Sequence, residues 1–101
     1  MEVYYYPDVE KFIGSLDEYE KSKILRIVNL LEEFGSALSL PHSKMIESGL
    51  YELRVYGSRN VRILYVFNGG NAILLHAFIK KTPRIPRKIL EVARKRRDML
   101  A

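Results

Sequence analysis

Three strand-like runs joined by two very short spacers constrain this chain more than any other feature. Leu50–Tyr56, Arg59–Phe67 and Ala72–Ile79 are rich in β-branched and aromatic residues. Gly57-Ser58 separates the first two, and Asn68-Gly69-Gly70-Asn71 separates the last two. Both spacers are short and glycine-bearing, which is hairpin chemistry, so the three runs are expected to form an antiparallel meander.

The remaining segments read as its covering elements. Val3–Tyr6 suggests a short first strand. Pro7-Asp8 suits a helix start, and Val9, Phe12, Ile13 and Leu16 recur at helical spacing on one face. Ser15-Leu16-Asp17-Glu18 has the form of a capping box, so a second helix is expected to restart there. Its buried stripe is expected to be Ile24, Ile27, Val28, Leu31 and Phe34, with Gly35 as the stop. Ser36–Ser48 reads as a connector with a short strand around Lys44–Glu47. Two prolines break the chain across Thr82–Pro86, and Pro86 opens a basic last helix reaching about Met99. The class is α+β, with two N-terminal helices and a C-terminal helix packed on an antiparallel-rich sheet, as one domain over residues 1–101.

Composition narrows the function classes. There are 101 residues, 48% of them apolar and none of them cysteine, so neither disulfides nor a thiolate metal site is expected. No run approaches the ~18 apolar residues of a membrane span. The first residues lack the basic and apolar segments of a signal peptide, and the expected location is the cytoplasm. Charge is unevenly spread. Residues 1–33 carry eight acids and four bases, and residues 34–101 carry four acids and thirteen bases. Lys80–Arg97 alone holds nine bases and one acid, Glu91. Such a concentration suits a phosphate backbone, although basic helices are also common as plain solvated faces.

Strand alternation brings candidate residues together. Tyr51, Leu53 and Val55 share one face with a core-like character, while Glu52 and Arg54 point the other way. On the next strand Val61, Ile63, Tyr65 and Phe67 oppose Asn60 and Arg62. A short hairpin therefore gathers Glu52, Arg54 and Arg62. On the third strand Ala72, Leu74, His76, Phe78 and Lys80 alternate together, so His76 and Lys80 join that surface if the register allows. Arginine grips phosphate oxygens in a bidentate fork, and RNA brings its own 2′-hydroxyl nucleophile. Two readings stand side by side: Glu52 and Arg54 as a surface ion pair or a site, and His76 as a core or a catalytic residue. His42 reads as an exposed loop residue. The two histidines lie far apart with no ligand motif, and neither a metal nor a cofactor is expected.

The strings Gly49-Leu50-Tyr51-Glu52-Leu53-Arg54-Val55, Arg62-Ile63-Leu64-Tyr65 and Ile73-Leu74-Leu75-His76-Ala77-Phe78-Ile79-Lys80-Lys81-Thr82-Pro83 resemble the HigB-like, phage-derived Gp49-like branch of the RelE toxin superfamily. Pro86, Ile89, Ala93 and Arg96 continue that likeness, which spans Gly49 to Arg97 closely and the N-terminal half more loosely. The resemblance implies the toxin of a type II toxin–antitoxin pair. Such a toxin is an endoribonuclease that cuts mRNA, typically at the ribosome, without a metal. It also implies a cognate antitoxin, expected to be a small helix-turn-helix protein that covers the basic face. Onto this sequence it carries Arg62 as a phosphate-binding or transition-state residue, with Glu52 and Arg54 on the Glu-Leu-Arg strand and the Lys80-Lys81 pair. Together with the basic run, the expected catalytic residues are Arg54, Arg62, Lys80 and Glu52, and the expected RNA-binding residues are Lys81, Arg84, Arg87, Lys88 and His76. Some relatives place a histidine or tyrosine near the C-terminus. The tail Arg97-Asp98-Met99-Leu100-Ala101 has neither, which leaves the general acid and base unassigned. A non-catalytic nucleic-acid- or ribosome-binding module is the competing reading.

Overall fold

The computed structural model describes residues 1–100. Five strands form one sheet: β1 (Val3–Tyr5), β2 (Ser43–Glu47), β3 (Leu50–Tyr56), β4 (Asn60–Asn68) and β5 (Asn71–Ile79). Their spatial order is β1-β5-β4-β3-β2, antiparallel throughout except for the parallel β1–β5 pair. The expected meander is thus the centre of the sheet, β5-β4-β3. Gly69 and Gly70, both at positive φ, turn β4 into β5, a conformation that glycine adopts without a Cβ penalty.

The helices are α1 (Pro7–Gly14), α2 (Glu18–Phe34) and α3 (Arg87–Asp98). The architecture is α+β and consistent with a RelE-like fold. α1 opens on Pro7, which has no N–H to leave unpaired. The capping box expected from Ser15 is instead two separate devices. Asp17 caps α2 by accepting the Glu20 N–H at 2.8 Å, while the Ser15 hydroxyl donates to the Phe12 carbonyl. The α2 stripe runs Ile24, Ile27, Val28, Leu31 and then Gly35, not Phe34. Four residues after Leu31 the inward position is 35, and Phe34 is left 51% exposed.

α1 and α2 cover one face of the sheet. Val9, Leu16, Ile24, Val28 and Leu31 pack there against Leu53, Val55, Val61, Ile63, Tyr65 and Leu74. The opposite face is not a free surface at both ends. Ile89, Leu90 and Ala93 of α3 seal its lower half against Leu50, Leu64, Val66 and Leu75. Three ion pairs fasten α3: Arg94 and Arg97 both bind Glu47 of β2, and Arg96 forks onto Asp8 of α1 with both contacts at 2.8 Å. On the other side of the sheet Arg59 forks onto the buried Glu20, tying the β3–β4 turn to α2.

One irregularity decides which residues share a face. The β4–β5 register steps from Leu64↔His76 to Tyr65↔Leu74, so Leu75 is an extra residue, a β-bulge. Unbroken alternation places Ala72, Leu74, His76, Phe78 and Lys80 together. The bulge splits them instead. Ala72 and Leu74 stay in the α1/α2 core, while His76 and Phe78 move to the face that carries Arg62 and Leu64.

Candidate active site

The site is built on adjacent strands. Arg54 of β3 and Arg62 of β4 are directly opposed Cα partners, and Glu52 lies two residues before Arg54 on the same face. Glu52 is only 1% exposed and Arg62 only 6%, so the reading of a surface ion pair does not hold. Glu52 Oε1 accepts from Arg54 Nε at 2.9 Å, and its other oxygen, Oε2, faces Arg62 Nε at 3.8 Å. That second approach is too long for a hydrogen bond, and both atoms are buried without a partner. Among the described residues the Arg62 guanidinium makes one hydrogen bond, from Nη1 to the Val61 carbonyl at 3.2 Å. Its planar group also lies over the Tyr56 ring, 5.0 Å from the centroid.

Two like charges opposed across a ladder repel, and one carboxylate between them offsets only part of that repulsion. The hydrogen bond to Glu52 raises the pKa of Arg54 further above its usual range, so it stays charged. The result is a half-buried cluster with a net positive charge and guanidinium donors still unfilled. An oxyanion with several acceptor oxygens complements it.

The other candidates separate into three groups. Phe78 is the Cα partner of Arg62, and the Lys80 N–H bonds the Asn60 carbonyl at 2.8 Å, extending the β5 pairing past Arg62. Alternation therefore brings Lys80 to the rim of the Arg62 face. Lys81, Arg84 and Lys88 are exposed and, among the described residues, carry no ion pair, while Arg87 pairs with the exposed Glu91. His76 stands further along the face, stacked on Phe78. Its Nδ1 is buried without a hydrogen bond, 3.8 Å from Asp8 Oδ2. Burial lowers its pKa, Arg96 adds to that, and Asp8 opposes it.

The basic run of the last helix is not uniformly available. Arg94, Arg96 and Arg97 are spent on Glu47, Asp8 and Asp98, so three of the nine bases counted in Lys80–Arg97 serve packing. The open positive charge lies mainly at the start of that run, on Lys81 and Arg84 of the loop that follows β5 and Lys88 in the first turn of α3, with Lys95 exposed further along the helix. Among the described residues no three His, Asp or Glu side chains gather as a metal site requires. No helix among them is long and apolar enough to cross a membrane.

A model of the family described as phage derived protein Gp49-like (DUF891) matches residues 11–98. The chain belongs to this family. Gp49-like proteins are toxin-like members of the RelE superfamily, and the match takes in all three strands of the site. No curated protein matches the chain.

Within this Gp49-like chain the sequence reading missed two contributors. Tyr56 ends β3 as an exposed aromatic, and only the hairpin geometry reveals that it supports Arg62. Lys44 is the Cα partner of Glu52 across β2–β3; the short strand around Lys44–Glu47 was expected, but the pairing depends on its register against β3, which the sequence does not state. A tyrosine closing a strand of the form Glu-x-Arg-x-Tyr was the available signal for the first.

Proposed function

We propose that this protein is the toxin of a type II toxin–antitoxin pair and cuts mRNA at the ribosome in the cytoplasm, held in check by an antitoxin. The observation that carries this reading is the opposed pair Arg54–Arg62, kept together by the buried Glu52, with guanidinium donors unfilled. In this scheme the RNA 2′-oxygen attacks the adjacent phosphorus and the bond to the 5′-oxygen breaks. The products are a 2′,3′-cyclic phosphate and a 5′-hydroxyl. The 2′-hydroxyl gives up a proton and the leaving oxygen gains one. Arg54 and Arg62 hold the extra negative charge that builds on the phosphoryl oxygens. Lys80 and Lys81 hold neighbouring phosphates or assist proton transfer. Glu52 orients the two guanidinium groups. With both oxygens turned to arginines, it is better suited to positioning than to taking a proton. The toxin-like family supports the antitoxin partner, a small helix-turn-helix protein in this reading.

The commitment of Glu52 favours one competing reading, an RNA- or ribosome-binding module that does not cleave. Induced expression of wild type and Arg62→Ala in parallel separates the two, with growth and transcript integrity followed together. Growth arrest with cut transcripts in wild type alone supports the nuclease. Intact transcripts despite soluble wild-type protein overturn it.

A further inference from the structure

A second concentration of positive charge lies outside the face just described. Before β2 begins at Ser43, the rim of β3 beyond Leu53 is open towards α2. There a pocket of ≈ 160 Å³ is lined by Lys23 and Arg26 of α2, His42, Arg54 and Tyr56. Among the described residues no acidic one lines it. Among the described residues neither Lys23 nor Arg26 has a carboxylate within 4.0 Å, although α2 is otherwise rich in acids. The half-buried His42 is held in place by its backbone, whose carbonyl accepts the Arg54 N–H at 2.8 Å. Strand alternation then turns the Tyr56 N–H, two residues on, to the same open rim.

Arg54 and Tyr56 belong to both places. Arg54 is bound to Glu52 on the sheet face and lines this pocket. Tyr56 also lines it while supporting Arg62. The two regions therefore adjoin at the edge of β3. We infer that the pocket formed by Lys23, Arg26, His42 and Arg54 binds a phosphate of the same RNA strand, next to the one held by Arg54 and Arg62. This rests on the RNA-cleaving reading above and adds a path for the strand, over the β3 edge towards α2. The ligand chemistry is a phosphodiester in a single-stranded chain, which bends around an edge more readily than a duplex.

The test is binding of single-stranded RNA oligonucleotides to full-length protein, with salt varied. Three proteins are compared: wild type, Lys23→Ala/Arg26→Ala, and Lys21→Ala. Lys21 removes one charge from the same helix, but it pairs with Glu18 and lies in the groove of Tyr5, Ile13 and Leu25. The salt slope on a single strand falls by about 0.7 for each phosphate no longer neutralised, so the double variant, which loses the one phosphate of this pocket, is expected to lose roughly 0.7. Lys21→Ala is expected to bind as wild type does. An unchanged slope in the double variant, or an equal loss per charge in Lys21→Ala, overturns the pocket while leaving the RNA reading intact. Failure of wild type to bind RNA removes both. Polyglutamate is the second probe. If the double variant loses polyglutamate but keeps RNA, the pocket takes a carboxylate-rich protein segment and the inference is wrong.

Discussion

Arg54 and Arg62 face each other across β3 and β4 as direct Cα partners, and the carboxylate of Glu52 stands between their guanidinium groups. A sheet built for stability alone gains nothing from opposed arginines, since like charges across a ladder are destabilising. The arrangement makes sense as a place that waits for more negative charge.

Glu52 is therefore expected to matter to the fold as well as to the site. Glu52→Ala leaves a buried guanidinium without its counter-charge, and removing one partner of such a pair costs roughly 3–5 kcal/mol. Urea denaturation measures it. Glu18→Ala, which breaks an exposed pair with Lys21, is the control and should not shift the midpoint. Equal midpoints for wild type and Glu52→Ala contradict the role assigned to Glu52.

Arg62→Lys keeps the charge but loses the planar fork. Cleavage is expected to fall by about 10²–10³, the usual loss for a donor that holds transition-state charge. A thermal melt checks that the fold survives. A folded Arg62→Lys protein that cuts RNA at the wild-type rate removes Arg62 from the proposed site.

Acid should weaken the protein in two stages. Burial, with Arg96 nearby, lowers the His76 pKa, so the unfolded chain takes up this proton near pH 6.5 while the folded protein resists it. The stability contributed by neutral His76 is present above that pH and is lost as pH falls through its folded value. Asp8, held below the usual carboxylate range mainly by the Arg96 hydrogen bond, loses its contribution only at lower pH. His76→Gln should flatten the first stage and leave the second. Unfolding curves at several pH values from 7.5 to 3 show whether the slope just below pH 6.5 disappears in the variant.

α3 is expected to loosen when Glu47 is changed. Glu47→Gln removes the charge that binds Arg94 and Arg97, whose hydrogen bonds hold the Glu47 carboxyl below its usual range. Amide hydrogen exchange should speed up in Arg87–Asp98 while the amides of β4 stay protected. Unchanged exchange in α3 means that apolar packing through Leu90 and Ala93 holds the helix without these pairs.

Local chemistry was enough to write the meander, the three helices and the grouping of Glu52, Arg54 and Arg62 from the sequence. Turn residues, capping residues and side-chain periodicity act within a few positions, and the chain states them directly. Three matters were settled only by tertiary structure. The bulge at Leu75 moved His76 onto the face of Arg62, because one extra residue reverses every side chain beyond it. Burial changed Glu52 from an apparent surface acid into the counter-charge of two arginines, because folding leaves its carboxylate only 1% exposed on a face that alternation alone marks as polar. The basic C-terminal run divided into structural arginines and open lysines, because only folding brings Asp8 and Glu47, 88 and 47 residues away from Arg96 and Arg94, within reach of α3. Periodicity along a strand or helix belongs to the sequence, whereas register across strands and charge pairing over long separations depend on how the whole chain closes on itself.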